Sequence, residues 1–240
     1  MNLEPKTSVR ELALGIPGAT RVFEKIGIDY CCGGQQSLQD ACAKAGITIE
    51  AVRTSLESEK RSHLTPEPNV LAVTLAELID HIVEKHHVFT RNEIGRLRTL
   101  LNKVCSKHIK NHPELTRLLS LFEVLASELV THMMKEERVL FPYVMALEDS
   151  VRNGRSIQSP QFGTVANPVR MMMIEHDKAG ELLKTMRQTT SNYALPDDAC
   201  VSYQTLFQAL DALEKDLHQH IHLENNILFP RAVEMEPPLS

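Results

Sequence analysis

The phrase His132-Met-Met-Lys-Glu136-Glu-Arg-Val-Leu140-Phe141-Pro142 returns 88 residues later as His220-Ile-His-Leu-Glu224-Asn-Asn-Ile-Leu228-Phe229-Pro230. Five identities at one offset point to a duplicated pair of helices, and they constrain what those helices bury. In the second copy an apolar stripe runs Leu206, Leu210, Leu213, Leu217 and continues onto His220, Glu224 and Leu228. In the first it runs Leu115, Leu118, Phe122, Leu125, Leu129 and continues onto His132, Glu136 and Leu140. Residues four apart share a helix face, so each His–Glu pair points where leucines point. An ionised carboxylate buried alone costs many kcal/mol. A metal cation turns that liability into a bond.

Helical periodicity dominates the rest of the chain, with no alternating strand pattern. It predicts four long helices at about 71–107, 113–148, 168–190 and 198–232, with Pro113, Pro168 and Pro196 at the gaps. Four antiparallel helices of this length make an up-and-down bundle, and the duplication predicts an approximate twofold axis through it. Residues 1–57 read as several short helices punctuated by glycines. Ser8 with Glu11 and Ser37 with Asp40 have the form of N-terminal caps, and Thr48 opens another segment. The polar stretch 58–70, with two prolines, reads as a linker. The expected organisation is all-α: a small helical domain over 1–57, a linker over 58–70 and a bundle over 71–235.

If two helices each supply a His and a Glu, the other two should also contribute. The third carries His176 on the stripe Val169, Met172, Ala179, Leu183. The first offers His86 and His87. His87 precedes His132 by 45 residues, closer than His86 to the 44 that separate His176 from His220. The candidate ligand set is therefore His87, His132, Glu136, His176, His220 and Glu224. Four imidazoles and two carboxylates divide evenly over two metals, with both glutamates free to bridge and a further oxide or hydroxide bridge leaving one position open on each metal. Such donors suit iron or manganese better than a thiolate-rich structural zinc site, and iron is the expected cofactor. A ferritin-like site would need Glu-x-x-His on two helices, and only Glu84-Lys-His-His87 matches.

Glu128, one turn before His132, and Glu175, beside His176, are candidate acids next to the metals or on a polar path for ions or protons. His63, His108, His112, His218 and His222 are expected in solvent, and His81 either beside the site or on the surface. The methionines at 133, 134 and 171–173 read as packing.

Five cysteines are a sparse, odd set, which argues against a disulfide framework and for a reducing compartment. A net charge of −5 gives no basic footprint for nucleic acid. No apolar run reaches membrane-spanning length, and the N-terminus has no secretion signal. The expectation is a soluble cytoplasmic protein with neither nucleic acid nor membrane as partner. Cys31 and Cys32, in Asp29-Tyr-Cys-Cys-Gly-Gly34, sit at a glycine-rich turn expected to be exposed and flexible, where paired thiols can oxidise, hold metal or exchange. Cys42, Cys105 and Cys200 read as isolated core or surface thiols.

Asp-Tyr-Cys-Cys-Gly-Gly near the N-terminus, followed by His-Met-Met-Lys-Glu-Glu, Glu175-His-Asp177 and His-x-x-Leu-Glu-Asn-Asn-x-Leu-Phe-Pro, resembles the Repair of Iron Centres family over almost the whole chain. These are ScdA-type di-iron proteins with a hemerythrin-like bundle. The resemblance implies the same six ligands. The family's ligand six residues after the histidine of Ile-Asp-His-Ile falls on His87, and its acids fall on Glu128 and Glu175. His86, where another residue often sits, is a departure. The resemblance further implies a stress-response factor that restores iron–sulfur clusters damaged by nitric oxide or peroxide, by donating iron to damaged or apo clusters. Cys31 and Cys32 would then receive iron, dock on a client or relay electrons. Nitric oxide reduction at the two irons, reversible binding of oxygen or nitric oxide, and a metal-free interaction bundle are the competing readings. A homodimer is left open.

Overall fold

A computed structural model describes residues 3–62, 71–155 and 160–236. Among these the regular structure is helical, with no strand. The chain divides into two compact units, Met1–Val73 with Ile221–Pro230, and Thr74–His220 with Arg231–Ser240.

In the first unit four short helices follow the capping signals. Ser8 and Glu11 form a reciprocal capping box that opens α1 (Val9–Gly15). The Ser37 hydroxyl accepts from the Asp40 amide at the start of α3 (Leu38–Ala45), and Thr48 Oγ1 accepts from Ala51 N at the start of α4 (Ile49–Ser62). Between them α2 (Ala19–Ile26) ends on Gly27, at φ 74°. Such a left-handed cap is cheap only for glycine. The helices close over their own apolar core, which includes Val9, Leu12, Val22, Phe23, Leu38, Val52 and Leu56. Helix α4 runs through Ser62, into the stretch expected to be linker, while residues 63–70 lie outside those described.

Four long rods build the bundle. The first is α5 (Leu75–His81), a π-helical turn (Ile82–His87) and α6 (Val88–His108). The second is α7 (Glu114–Lys135), a π turn (Glu136–Leu140) and α8 (Phe141–Arg152). The third is the uninterrupted α9 (Ala166–Thr189). The fourth is α10 (Val201–Leu223), a π turn (Glu224–Leu228) and α11 (Phe229–Met235). Helix α7 packs along α9, α6 along α7, and α5 against α8. The stripe leucines of the sequence are the core: Leu118, Phe122 and Leu125 meet Leu97 and Leu101, Leu183, and Leu206, Leu210 and Leu213.

The duplication is written into the local structure as well as the sequence. The π turns at Glu136–Leu140 and Glu224–Leu228 lie 88 residues apart, and each directly precedes a Phe-Pro pair. Proline donates no amide hydrogen and its ring crowds the carbonyl four residues back. An inserted π turn shifts those carbonyls and lets the rod continue through Pro142 and Pro230. A second device repeats at the same offset. Glu148 accepts from the Leu75 and Ala76 amides (2.7 and 3.0 Å) at the start of the first rod. Glu236 accepts from the Val165 amide (2.9 and 3.0 Å) just before α9. Each carboxylate satisfies amides that a helix start leaves open. No helix among the described residues is long and apolar enough to cross a membrane.

Candidate metal centre

The two repeated π turns open on Glu136 and Glu224, and both carboxylates are fully buried (0 % exposed). Such turns re-aim the side chains they carry and recur at functional sites. Around the two glutamates the donors form two overlapping groups. One is His87, Glu136, His220 and Glu224; the other is His132, Glu136, His176 and Glu224. Within each group the ligand atoms all lie within 4.8 Å of one another. His87 Nε2 stands 3.1 Å from His220 Nε2, and His176 Nε2 stands 3.0 Å from His132 Nε2. Glu136 reaches toward both groups, with Oε2 3.4 Å from His87 Nε2 and Oε1 3.3 Å from His132 Nε2. Two buried acids common to two imidazole pairs are oxygen and nitrogen donors of the kind that iron takes, so these residues fit a metal cation such as iron.

The outer ring nitrogens are held by carboxylates. His87 Nδ1 lies 2.6 Å from Glu137 Oε1, which also accepts from Arg91. His132 Nδ1 lies 2.9 Å from Glu175 Oε2, and the other Glu175 oxygen accepts from Lys135. Burial alone would raise both carboxyls. The hydrogen bonds with histidine and the neighbouring cation outweigh it and hold Glu137 and Glu175 below the ordinary value. A carboxylate on Nδ1 keeps the proton there and turns the Nε2 lone pair inward, the usual support for a metal-binding histidine. Phe141, from the repeated phrase, lies against the His87 ring (centroids 5.8 Å apart, 19° between planes) and restricts its tilt.

Residues 77–232 match the hemerythrin HHE cation binding domain, and residues 5–60 match the ScdA N-terminal domain, a domain of unknown function. The iron–sulfur cluster repair protein YtfE of Escherichia coli O17:K52:H18 (strain UMN026 / ExPEC) is 36% identical over 223 residues, 93% of this chain and 94% of the relative. YtfE of Shigella boydii serotype 4 (strain Sb227) matches with the same identity and coverage. The chain belongs to the Repair of Iron Centres family.

In this Repair of Iron Centres protein all six expected ligands lie in the two donor groups. His87 is in one of them and His86 in neither. The His86 ring instead stacks face to face on His220 (5.5 Å, 8°), with Nδ1 3.0 Å from Asp216 Oδ1. Glu175 supports His132, while Glu128 is exposed. The expectation of an inward Glu128 is thereby corrected. The residues that face inward on this stretch are Leu125, Leu129 and His132, and position 128 lies off that stripe. Glu137 was missing from the sequence reading, although its place next to Glu136, with Arg91 one turn past His87, was a usable signal.

Two further expectations fail. His222 is buried rather than solvated, because within the first unit its ring meets the edge of Tyr30 (5.4 Å) and Asn226 Nδ2 lies 2.9 Å from its Nδ1. Burial holds its pKa down to about 4. The Cys-Cys turn is not openly exposed either. Cys31 is buried and Cys32 half-buried, and both are free thiols. Asp29 Oδ1 accepts from the Cys31 and Cys32 amides (3.1 and 3.0 Å). Asn226 Nδ2 donates to the Tyr30 carbonyl (3.0 Å), and Arg10 donates twice to the Asn226 carbonyl (3.0 and 2.7 Å). A side chain at Gly34 would put its Cβ 2.9 Å from Asn226 Oδ1 and 3.1 Å from the Tyr30 carbonyl, so any larger residue there would have to displace these neighbours. Asn225 Nδ2 adds a longer bond to the Cys31 carbonyl (3.4 Å), so Asn225 and Asn226, which follow Glu224 in the repeated phrase, both hold the cysteine turn. The thiol of Cys31 is pushed well up by its hydrogen bond with Cys32 and by burial.

Proposed function

We propose that this chain is an iron–sulfur cluster repair factor that holds two iron ions in the overlapping donor groups and delivers iron to clusters damaged by oxidative or nitrosative stress. The observation that carries the reading is the pair of buried carboxylates, Glu136 and Glu224, each common to both imidazole pairs. Two acids bring too little negative charge to trap two cations permanently, and the rest of the ligation is neutral imidazole. That is a donor set from which iron can depart, unlike a carboxylate-rich storage cage. Glu137 and Glu175 keep His87 and His132 oriented between loadings. When bound, the iron supplies Lewis acidity and redox capacity at the centre; as cargo, it is what the client receives.

The relatives support the same reading, since YtfE is an iron–sulfur cluster repair protein and aligns over nearly the full chain. Clients would be iron–sulfur proteins that have lost iron. All five cysteines are free, which accords with a reducing compartment, and we place the protein in the cytoplasm. Cys31 and Cys32 would contact client or cargo rather than hold the resident ions.

The test is a transfer assay. The iron-loaded chain is incubated, under reducing conditions, with an iron–sulfur enzyme whose cluster has lost one iron to peroxide. Recovery of client activity should exceed that from the same dose of free ferrous iron and should persist with a weak chelator present. Recovery no better than free iron contradicts the proposal.

A further inference from the structure

At the other end of α6 the structure gathers a second set of metal-binding side chains. Helix α6 runs unbroken from Val88 to His108, so His108 lies about 30 Å along the rod from His87. Here the turn between α6 and α7 meets the segment that leads into α10. The ligand atoms of His108, His112 and Asp198 all lie within 4.8 Å of one another. His112 Nε2 is 2.7 Å from Asp198 Oδ1, and His108 Nδ1 is 4.0 Å from Asp198 Oδ2. The other nitrogen of His108, Nε2, is 3.3 Å from Cys200 Sγ. Tyr203 presents its ring to both imidazoles, at 5.3 and 5.6 Å, and walls the cluster on one side.

We propose that His108, His112, Asp198 and Cys200 form a mononuclear site for a borderline divalent cation of the zinc type, separate from the iron centre. Two imidazoles, one carboxylate and one thiolate are a complete tetrahedral set for such an ion. Bonds of about 2.0–2.3 Å place tetrahedral donors roughly 3.3–3.8 Å apart, so His108, His112 and Asp198 need only small side-chain movements, whereas Cys200 Sγ lies outside that group, against the far nitrogen of His108, and must swing in to join it. The His108 ring turns so that the nitrogen now facing the thiol meets the ion. The thiol is prepared for the role. Cys200 immediately precedes α10, and the backbone amides of that helix start, with the His108 ring, hold its pKa down to about 7.

The same contacts could serve only to tie the two loops together, as a His112–Asp198 ion pair and a His108–Cys200 hydrogen bond. Cation binding separates the two cases. The full chain, already loaded with iron, is titrated with cobalt(II), and iron release is followed in parallel. One equivalent should bind without iron loss and give a thiolate-to-cobalt charge-transfer band. Zinc(II) should displace the cobalt. His112→Ala and Asp198→Asn should each weaken binding at least tenfold, and Cys200→Ser should abolish the thiolate band, while Cys31→Ser with Cys32→Ser leaves it in place. All four positions are half-buried or exposed, so these variants should fold. Absence of saturable cobalt uptake, uptake matched by iron loss, or affinity unchanged in His112→Ala and Asp198→Asn overturns the site. A thiolate band that survives Cys200→Ser removes Cys200 from it and overturns the four-donor set.

Discussion

His87 Nδ1 lies 2.6 Å from Glu137 Oε1, a carboxylate carried by the residue next to Glu136, which belongs to both donor groups. One π turn therefore supplies both a metal-site carboxylate and the group that orients an imidazole on the neighbouring rod. Glu137→Ala should free the His87 ring while leaving the other donor group whole. Iron affinity should fall about 10–100-fold at the position served by His87. A competition titration with a chelator would read this as one weakened ion and one of ordinary affinity. Equal weakening of both, or of neither, would show that Glu137 does not act through His87.

The two carboxylate caps, 88 residues apart, give a prediction about stability. Removing Glu148 takes the acceptor from the Leu75 and Ala76 amides, and removing Glu236 takes it from Val165. Each alanine variant should cost about 1–2 kcal/mol. Thermal unfolding should then start about 2–8 °C lower, and the double variant should show roughly the sum, since the two sites share no partner. Iron content at low temperature should be unchanged. Variants that unfold at the parental temperature would mean that the capping bonds contribute nothing net.

The cysteine turn is seated by Asn226 and Arg10 through backbone carbonyls, not by its thiols. Cys31→Ala with Cys32→Ala should therefore keep the iron of the bundle and lose most of the transfer activity. Loss of bundle iron in the double variant would show that the thiols take part in holding it.

His112 offers a pH-dependent signature. Its hydrogen bond to Asp198, with a smaller contribution from Glu114 on its other ring nitrogen (3.2 Å), raises it above the ordinary imidazole value. For a group raised in the folded state, the stabilisation is fully present below the unfolded value and is lost as pH rises through the folded one. In metal-free buffer, proton NMR should find His112 titrating above an unperturbed histidine. Asp198→Asn should bring it back toward the ordinary value and remove its contribution at mildly acidic pH. Titration unmoved by Asp198→Asn would contradict the assigned pairing.

The all-α bundle was legible because a leucine stripe and a histidine–glutamate phrase shared one helical period, and because the phrase occurred twice. The six donors could be reached the same way, since a ligand that replaces a core leucine announces itself by its place on the stripe. Glu137 was not legible. Its side chain acts across to another rod, and on its own helix it looks like ordinary surface charge. Glu128 misled for the opposite reason: a spacing of four from His132 suggested the inward face, yet the stripe passes through Leu125, Leu129 and His132 and leaves 128 outside. His222 and the cluster at His108 depend on contacts with segments distant in sequence, Tyr30 in one case and Asp198–Cys200 in the other. Helical period carries no information about such partners. The π turns also went unread, although the repeated Phe-Pro pair was their signal.

Metal analysis of three single variants tests the shared-carboxylate centre most directly. Glu136 belongs to both donor groups, as does Glu224, whereas His176 belongs to one. After reconstitution with ferrous iron and removal of loosely bound metal, the parent chain should retain about two equivalents. His176→Ala should retain about one. Glu136→Ala and Glu224→Ala should each fall below one, because each removes a donor from both ions. A parent that binds well under two equivalents, or a Glu136 or Glu224 variant with iron content equal to the parent, would contradict the account.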